Sequence, residues 1–256
     1  MTLAEAAIGA GIGFVSGILA GLFGVGGGIV MTPGVQVLLG APAIVALATP
    51  LPAIFPTALA GAATYARRGE LDARAAAWLA GPGLVGAALS AWATDLIEPA
   101  LLLLLTALLL AWQAVRILPR GRPVERDPAA APSPLVLGSV GLVAGVVSGL
   151  LGIGGGLVIV PALAGWLGMP LKRALGTSLL AIVAIVVPGT VVHAALGHLD
   201  LGIFASLTVG AVPGAWIGAG LALGARDRTL RLAVGGFLLV VALAYGAAQA
   251  TSLLGT

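Results

Sequence analysis

The chain carries long apolar runs that a water-soluble fold has no use for. Residues 43–66, 73–93, 99–117, 171–196, 201–223 and 229–248 bear charge only near their ends, and 101–105 are five consecutive leucines. Crossing the hydrocarbon core takes ~20 helical residues, and these stretches have that length. Lipid offers no partner to backbone N–H and C=O groups, so only helices or a closed barrel can span it. Barrel strands alternate lipid-facing and lumen-facing residues; these runs are continuous and predict helices. Composition agrees, with 60% of residues hydrophobic and 8% charged, against roughly 25% charged in soluble domains. The fold class expected is an all-α polytopic membrane protein.

The two halves of the chain read as copies. Gly21 to Pro33 aligns with Gly149 to Pro161 at an offset of 128 residues, with eight of thirteen positions identical. The same ungapped offset pairs Leu39-Gly40-Ala41-Pro42 with Leu167-Gly168-Met169-Pro170. It also pairs Ala46-Leu47-Ala48-Thr49 with Ala174-Leu175-Gly176-Thr177, and Gly69-Glu70-Leu71-Asp72 with Gly197-His198-Leu199-Asp200. Biased composition does not hold one register over that distance, so the reading is a duplication. Residues 1–117 form the first transmembrane repeat, the Pro- and Arg-rich 118–134 a linker, and 135–256 the second repeat.

Each copy opens with an apolar stretch (6–23, 135–151), a glycine-rich break and a second stretch of eleven residues (29–39, 157–167). Eleven residues cannot cross alone, which leaves a re-entrant hairpin or one broken crossing helix. Charge chooses between them, because cytoplasmic loops collect Lys and Arg. The basic groups are Arg67, Arg68 and Arg74; Arg116, Arg120, Arg122 and Arg126; Lys172 and Arg173; and Arg226, Arg228 and Arg231. With all of them inside, 135–167 must start and end on one side, as a hairpin does. Each copy then has three crossings and a hairpin, and consecutive copies insert upside-down. The prediction is two inverted-topology repeats with six full crossings, a cytoplasmic linker and both termini outside. Many secondary transporters share this plan, with the substrate site near the midplane beside discontinuous helices. The first residues lack the positive n-region of a cleavable signal and are expected in the mature chain.

The breaks carry the candidate site. Each glycine in Gly24-Val25-Gly26-Gly27-Gly28 disfavours a helix interior by ~1 kcal/mol relative to alanine. Non-helical backbone at membrane depth is tolerated only within protein or beside a water-filled cavity. The helix restarting at Ile29 is expected to present N–H groups and the positive end of its dipole. That is an anion site, and glycine lets a ligand approach it closely. Gly152, Gly154, Gly155 and Gly156, leading into Leu157, repeat the arrangement. The substrate-binding candidates are therefore Gly24, Gly26, Gly27, Gly28 and Ile29, with Gly152, Gly154, Gly155, Gly156 and Leu157. The competing account is close helix packing, which suits Gly9, Gly13, Gly17 and Gly21, and Gly141, Gly145 and Gly149, better than three consecutive glycines.

Thr49 and Thr177 are equivalent hydroxyls beside Pro50 and Ser178. Thr49, Thr177 and Ser178 are candidate anion donors, set against bonding to their own helix carbonyls. His193 is a candidate proton relay, set against an interfacial histidine. Pro50, Pro52, Pro56 and Pro188 are expected to kink their spans, and Trp78, Trp92, Trp112, Trp166 and Trp216 to pack or to anchor at interfaces. No Asp or Glu lies well inside a span, which argues against a carboxylate-based cation pump or an acidic-ring channel. No HExxH, intramembrane Asp pair or Walker motif occurs, so no enzyme activity is expected. With no cysteine and two histidines, neither a metal site nor a cofactor is expected. The isoelectric point is about 10.2, yet the net charge is +3 and spread over loops, so nucleic acid is not an expected partner. The expected partners are a small anionic substrate and the lipid bilayer, with a homo-oligomer left open.

The doubled Gly-Leu-[Phe/Leu]-Gly-[Val/Ile]-Gly-Gly-Gly, followed five residues on by Pro33 and Pro161, resembles the TauE/SafE family of sulfite and organosulfonate exporters. The stretch Ala174-Leu175-Gly176-Thr177-Ser178-Leu179 resembles it too, and the likeness covers nearly the whole chain. The first copy departs with Ala48-Thr49-Pro50 in place of Gly176-Thr177-Ser178. The resemblance implies a multi-pass permease of a prokaryotic inner membrane, moving sulfite or organosulfonates outward. The residues alone lead to an alternating-access transporter that favours anions. The alternative is an anion channel, or a permease for sulfate, thiosulfate or carboxylates.

Overall fold

The computed structural model describes residues 1–93 and 133–226, with isolated residues between 228 and 240. The predicted spans 99–117 and 229–248 and nearly all of the linker 118–134 lie wholly or largely outside the described residues, as do Arg116, Arg120, Arg122, Arg126, Arg231 and Trp112. All described elements are helical: α1 (Leu3–Phe23), α2 (Gly28–Leu38), α3 (Ala43–Ala48), α4 (Pro50–Ala66), α5 (Ala73–Ala93), α6 (Pro134–Leu151), α7 (Gly156–Pro161), α8 (Leu171–Ala195) and α9 (Leu201–Gly224). With α3 and α4 taken together, six stretches among the described residues are long and apolar enough, by length and composition, to cross a membrane: Leu3–Phe23, Ala43–Ala66, Ala73–Trp92, Pro134–Leu151, Leu171–Ala195 and Leu201–Gly224. The spans expose Leu89, Val209, Leu221, Trp78, Trp92 and Trp216, and the short helical arms expose Val37 and Trp166. Such a surface suits lipid and would drive association in water.

Local chemistry explains the boundaries. Thr2 and Glu5 form a capping box at the start of α1, satisfying two of the orphan N–H groups of a helix start. Gly24 ends α1 at φ 67° and Gly152 ends α6 at φ 64°, left-handed caps that suit glycine. The span predicted as 43–66 divides at Thr49. Pro50 and Pro52 lack the N–H groups that would bond back to Ala46 and Ala48. Ser178 and Leu180 stand 128 positions on, and α8 runs unbroken there. The second short arm is also irregular: α7 continues as a π-helical turn over Ala162–Trp166.

Tertiary contacts fix the direction of each helix. A methyl at Gly27 would lie 3.3 Å from the Ser16 carbonyl, one at Gly34 2.8 Å from Ile12, and one at Gly9 4.0 Å from Leu39. So α2 folds back along α1, and the first break is the tip of an antiparallel hairpin rather than a joint in one crossing helix. From Gly9 to Phe23 the hairpin reaches about 21 Å at 1.5 Å per residue. In the second half, Gly155 likewise packs on Ala144.

Helix α1 lies parallel to α9, with Gly13, Gly17 and Gly21 against Leu207, Ala211 and Ala215. Helix α6 lies parallel to α5 in the same way, with Gly141, Gly145 and Gly149 against Leu79, Gly83 and Ala87. Here the four-residue glycine spacing is a close-packing device, as predicted. Helices α4 and α8 run antiparallel, since Gly61 meets Leu179, Gly176 meets Tyr65 and Gly189 meets Leu51.

The charge distribution follows from this packing. The Asp72 N–H bonds to Thr177 Oγ1, and Lys172 Nζ donates to the Leu223 carbonyl at 2.8 Å. These contacts gather Arg67, Arg68, Arg74, Lys172, Arg173, Arg226 and Arg228 at one end of the bundle. The Asp200 N–H bonds to Thr49 Oγ1 at the other end, where Met1, Glu5 and Gly40 line a cavity with Asp200. Among the described residues, every Lys and Arg is at the first end.

Candidate functional site

The two glycine breaks meet at the centre of the bundle. All ten residues of Gly24–Gly28 and Gly152–Gly156 are buried, as are Ile29 and Leu157. A methyl at Gly28 would lie 2.6 Å from the Gly152 carbonyl oxygen, and one at Gly156 2.5 Å from that of Gly24. The contact is reciprocal at the 128-residue offset, since Gly156 and Gly24 stand 128 positions from Gly28 and Gly152. Gly26 and Gly154 each face both Ile54 and Ile182, so two isoleucines from α4 and α8 cover the junction. Positive φ at Gly26 (83°), Gly27 (89°), Gly154 (88°) and Gly155 (77°) lets each chain turn within one short segment. Backbone conformation and close approach thus account for the glycine runs, and the junction is closed in this conformation.

The hydroxyls divide between the centre and the two ends. Ser178 Oγ donates to the Gly24 carbonyl at 2.8 Å, at the junction itself. Thr177 Oγ1 accepts from the Asp72 N–H at 2.9 Å and Thr49 Oγ1 from the Asp200 N–H at 3.2 Å. Both threonine hydroxyls thus reach outside their own helices. Each holds the loop before the other half's last described helix, and Asp72 and Asp200 in turn cap those helices through Ala75 and Ile203. The departure at Gly176 has a steric cause, since a methyl there would strike the Glu70 carbonyl and lie 2.7 Å from Tyr65 Cβ.

His193 is fully buried, in the last turn of α8. Its Nδ1 is 3.1 Å from His198 Nδ1. One ring must donate and the other accept, so this contact holds one proton. The equivalent positions, Tyr65 and Glu70, are differently used: the Tyr65 hydroxyl donates to the Gly21 carbonyl at 2.9 Å, tying α4 to α1.

A cavity of about 590 Å³ opens at the end opposite the basic cluster, lined by Met1, Glu5, Gly40, Pro42 and Asp200 among others. None of the predicted site residues lines it. Two groups that sequence reasoning passed over lie beside the first break. Ser16 and Thr32 are buried hydroxyls whose oxygens have no partner. The internal alignment held the signal, because the equivalent residues are Ala144 and Val160.

An all-helical bundle with an apolar exterior and a central meeting of two discontinuous helices defines a polytopic integral membrane protein. Residues 9–245 match the family described as "Sulfite exporter TauE/SafE", and the chain belongs to that family of membrane transporters, which are not enzymes. It is 34% identical over 253 residues to a "Probable membrane transporter protein" of Xylella fastidiosa strain Temecula1, with 95% of each chain covered. It is 30% identical over 210 residues to "Probable membrane transporter protein YdhB" of Bacillus subtilis strain 168, covering 80% of this chain and 86% of that one. No solved structure matches the chain.

Proposed function

We propose that this protein is a secondary transporter that exports small sulfur-containing anions, sulfite or organosulfonates, by alternating access around the two glycine breaks. The observation that carries the mechanism is the reciprocal contact of Gly28 with Gly152 and of Gly156 with Gly24. The antiparallel course of α4 and α8, which stand 128 positions apart, supports inverted repeats. Two hairpin tips entering from opposite faces then meet near the midplane. Inverted repeats can rock about such a centre and open it to each side in turn. The backbone at residues 26–29 and 154–157 holds the anion, with Thr49, Thr177 and Ser178 as neighbouring hydroxyls, and transport requires the breaks to part. The sulfur-anion class follows from the family's description. The basic end is cytoplasmic by the positive-inside rule. This puts the linker inside and the termini outside an inner membrane, with 1–117 and 135–256 as the two repeats.

The test is counterflow of labelled sulfite into proteoliposomes preloaded with sulfite. Saturable counterflow is expected, and Gly27→Val or Gly155→Val should abolish it without preventing insertion. Uptake without counterflow would favour the alternative, an anion channel. Undiminished transport by both glycine variants would remove the breaks from the mechanism. The chain has no cysteine, so single cysteines report topology cleanly. Arg68→Cys should label from the cytoplasm and Leu196→Cys from outside.

A further inference from the structure

We infer that Ser16 and Thr32 are substrate-binding residues that donate hydrogen bonds to the transported oxyanion on the first half's side of the junction. Hydroxyls inside these helices normally bond back to a carbonyl of their own helix. Thr57 does so to Ala53, Thr64 to Ala60, Thr190 to Val186, Thr208 to Phe204 and Ser206 to Ile203. Ser16 and Thr32 have the same option, through Ile12 and Gly28, and their oxygens have no partner. Ser16 is fully buried and Thr32 is 4% exposed, so bulk water does not satisfy them. An unsatisfied buried hydroxyl carries its full desolvation penalty. Both sit at the first break. A methyl at Gly27 would lie 3.3 Å from the Ser16 carbonyl and 3.4 Å from Ala20 Cβ. Thr32 is one helical turn beyond Gly28, which touches the other break. The second half has Ala144 and Val160 at the matching positions and one serine nearby, Ser148, where the first has Ala20. The donor set is thus unequal, and the oxyanion sits off-centre, toward α1 and α2.

This inference rests on the anion-transport reading. The experiment compares wild type with Ser16→Ala, Thr32→Val and Thr32→Ser, measuring the unliganded melting temperature and the affinity for sulfite and sulfoacetate. A hydrogen bond to a charged ligand is worth roughly tenfold or more in affinity. S16A and T32V should each lose about that much, with an unliganded melting temperature equal to or above wild type; T32S should keep its affinity. Wild-type affinity in both S16A and T32V would overturn the inference and leave the anion reading standing. A lowered unliganded melting temperature in either variant would mark the hydroxyl as structural and overturn it too. Wild type that binds neither probe would sink the sulfur-anion reading and this inference with it.

Discussion

A single methyl group at the junction should separate close approach from mere helix flexibility. In Gly28→Ala the new Cβ would lie 2.6 Å from the Gly152 oxygen, 2.9 Å from Ile153 Cα and 3.0 Å from Ile54 Cδ1. In Gly156→Ala the distances are 2.5 Å to the Gly24 oxygen, 2.6 Å to Val25 Cα and 2.8 Å to Ile182 Cδ1. Two of each set are backbone atoms, which cannot rotate away. Overpacking of this kind costs about 1–3 kcal/mol. Alanine returns at most ~1 kcal/mol of helix propensity, and less here, because both glycines are the first residues of their helices. The net loss expected is about 1–2 kcal/mol for each variant, a fall of roughly 2–8 °C in melting temperature for a chain of this size. Gly11 and Gly220 have nothing within 4 Å of an added methyl, so Gly11→Ala and Gly220→Ala should melt at or above wild type. Thermal unfolding in one detergent, followed by tryptophan fluorescence, reads all four. One separation of the breaks relieves both clashes, so the double variant should lose less than the sum by ~0.5 kcal/mol or more. If G28A and G156A melt as high as G11A and G220A, the junction is not as closely packed as described. Strict additivity would mean that the two contacts do not share one interface.

Three further outcomes follow from the same geometry. Thr177→Val removes the acceptor for the Asp72 N–H, costing about 1 kcal/mol; amide exchange at 70–74 should quicken, and Thr177→Ser should restore it. Ser178→Ala removes the donor to the Gly24 carbonyl. Polar contacts between membrane helices average ~0.6 kcal/mol, so a small fall in melting temperature is expected, and a rise would refute the contact. His193→Gln ends the single-proton contact with His198. If His193 relays a proton, sulfite efflux loses its dependence on a pH gradient while sulfite exchange continues, and an unchanged pH dependence would exclude that role.

Much of the scaffold was legible because its causes are local. The ends of α1 and α6 follow from Gly24 and Gly152; charge placement predicts a hairpin over 135–167 and, through the repeat, over the first break, where α2 folds back on α1. Pro50 and Pro52 predict a kink in 43–66, and the structure goes further, dividing that span at Thr49. The site was less legible. Thr49 and Thr177 are placed symmetrically in the sequence, but their partners lie 151 and 105 residues away. Ser178 finds its acceptor 154 residues away. Ser16 and Thr32 stood in the alignment as polar residues opposite Ala144 and Val160, a difference that means little until their surroundings are known.

By itself, the sequence determined the solvent and the helical class of the described elements, and it suggested the duplication. Lipid leaves helices as the favoured state for continuous apolar runs, and motifs of the two halves align at one offset of 128 residues. It also located the breaks, because consecutive glycines disfavour helix wherever they occur. Only the tertiary structure decided what the breaks do. Which backbone meets which carbonyl depends on how the two hairpins pack between α4 and α8. That packing brings Gly28 onto Gly152 and places Ile54 and Ile182 over the breaks, and only the folded chain shows Ser16 and Thr32 without partners.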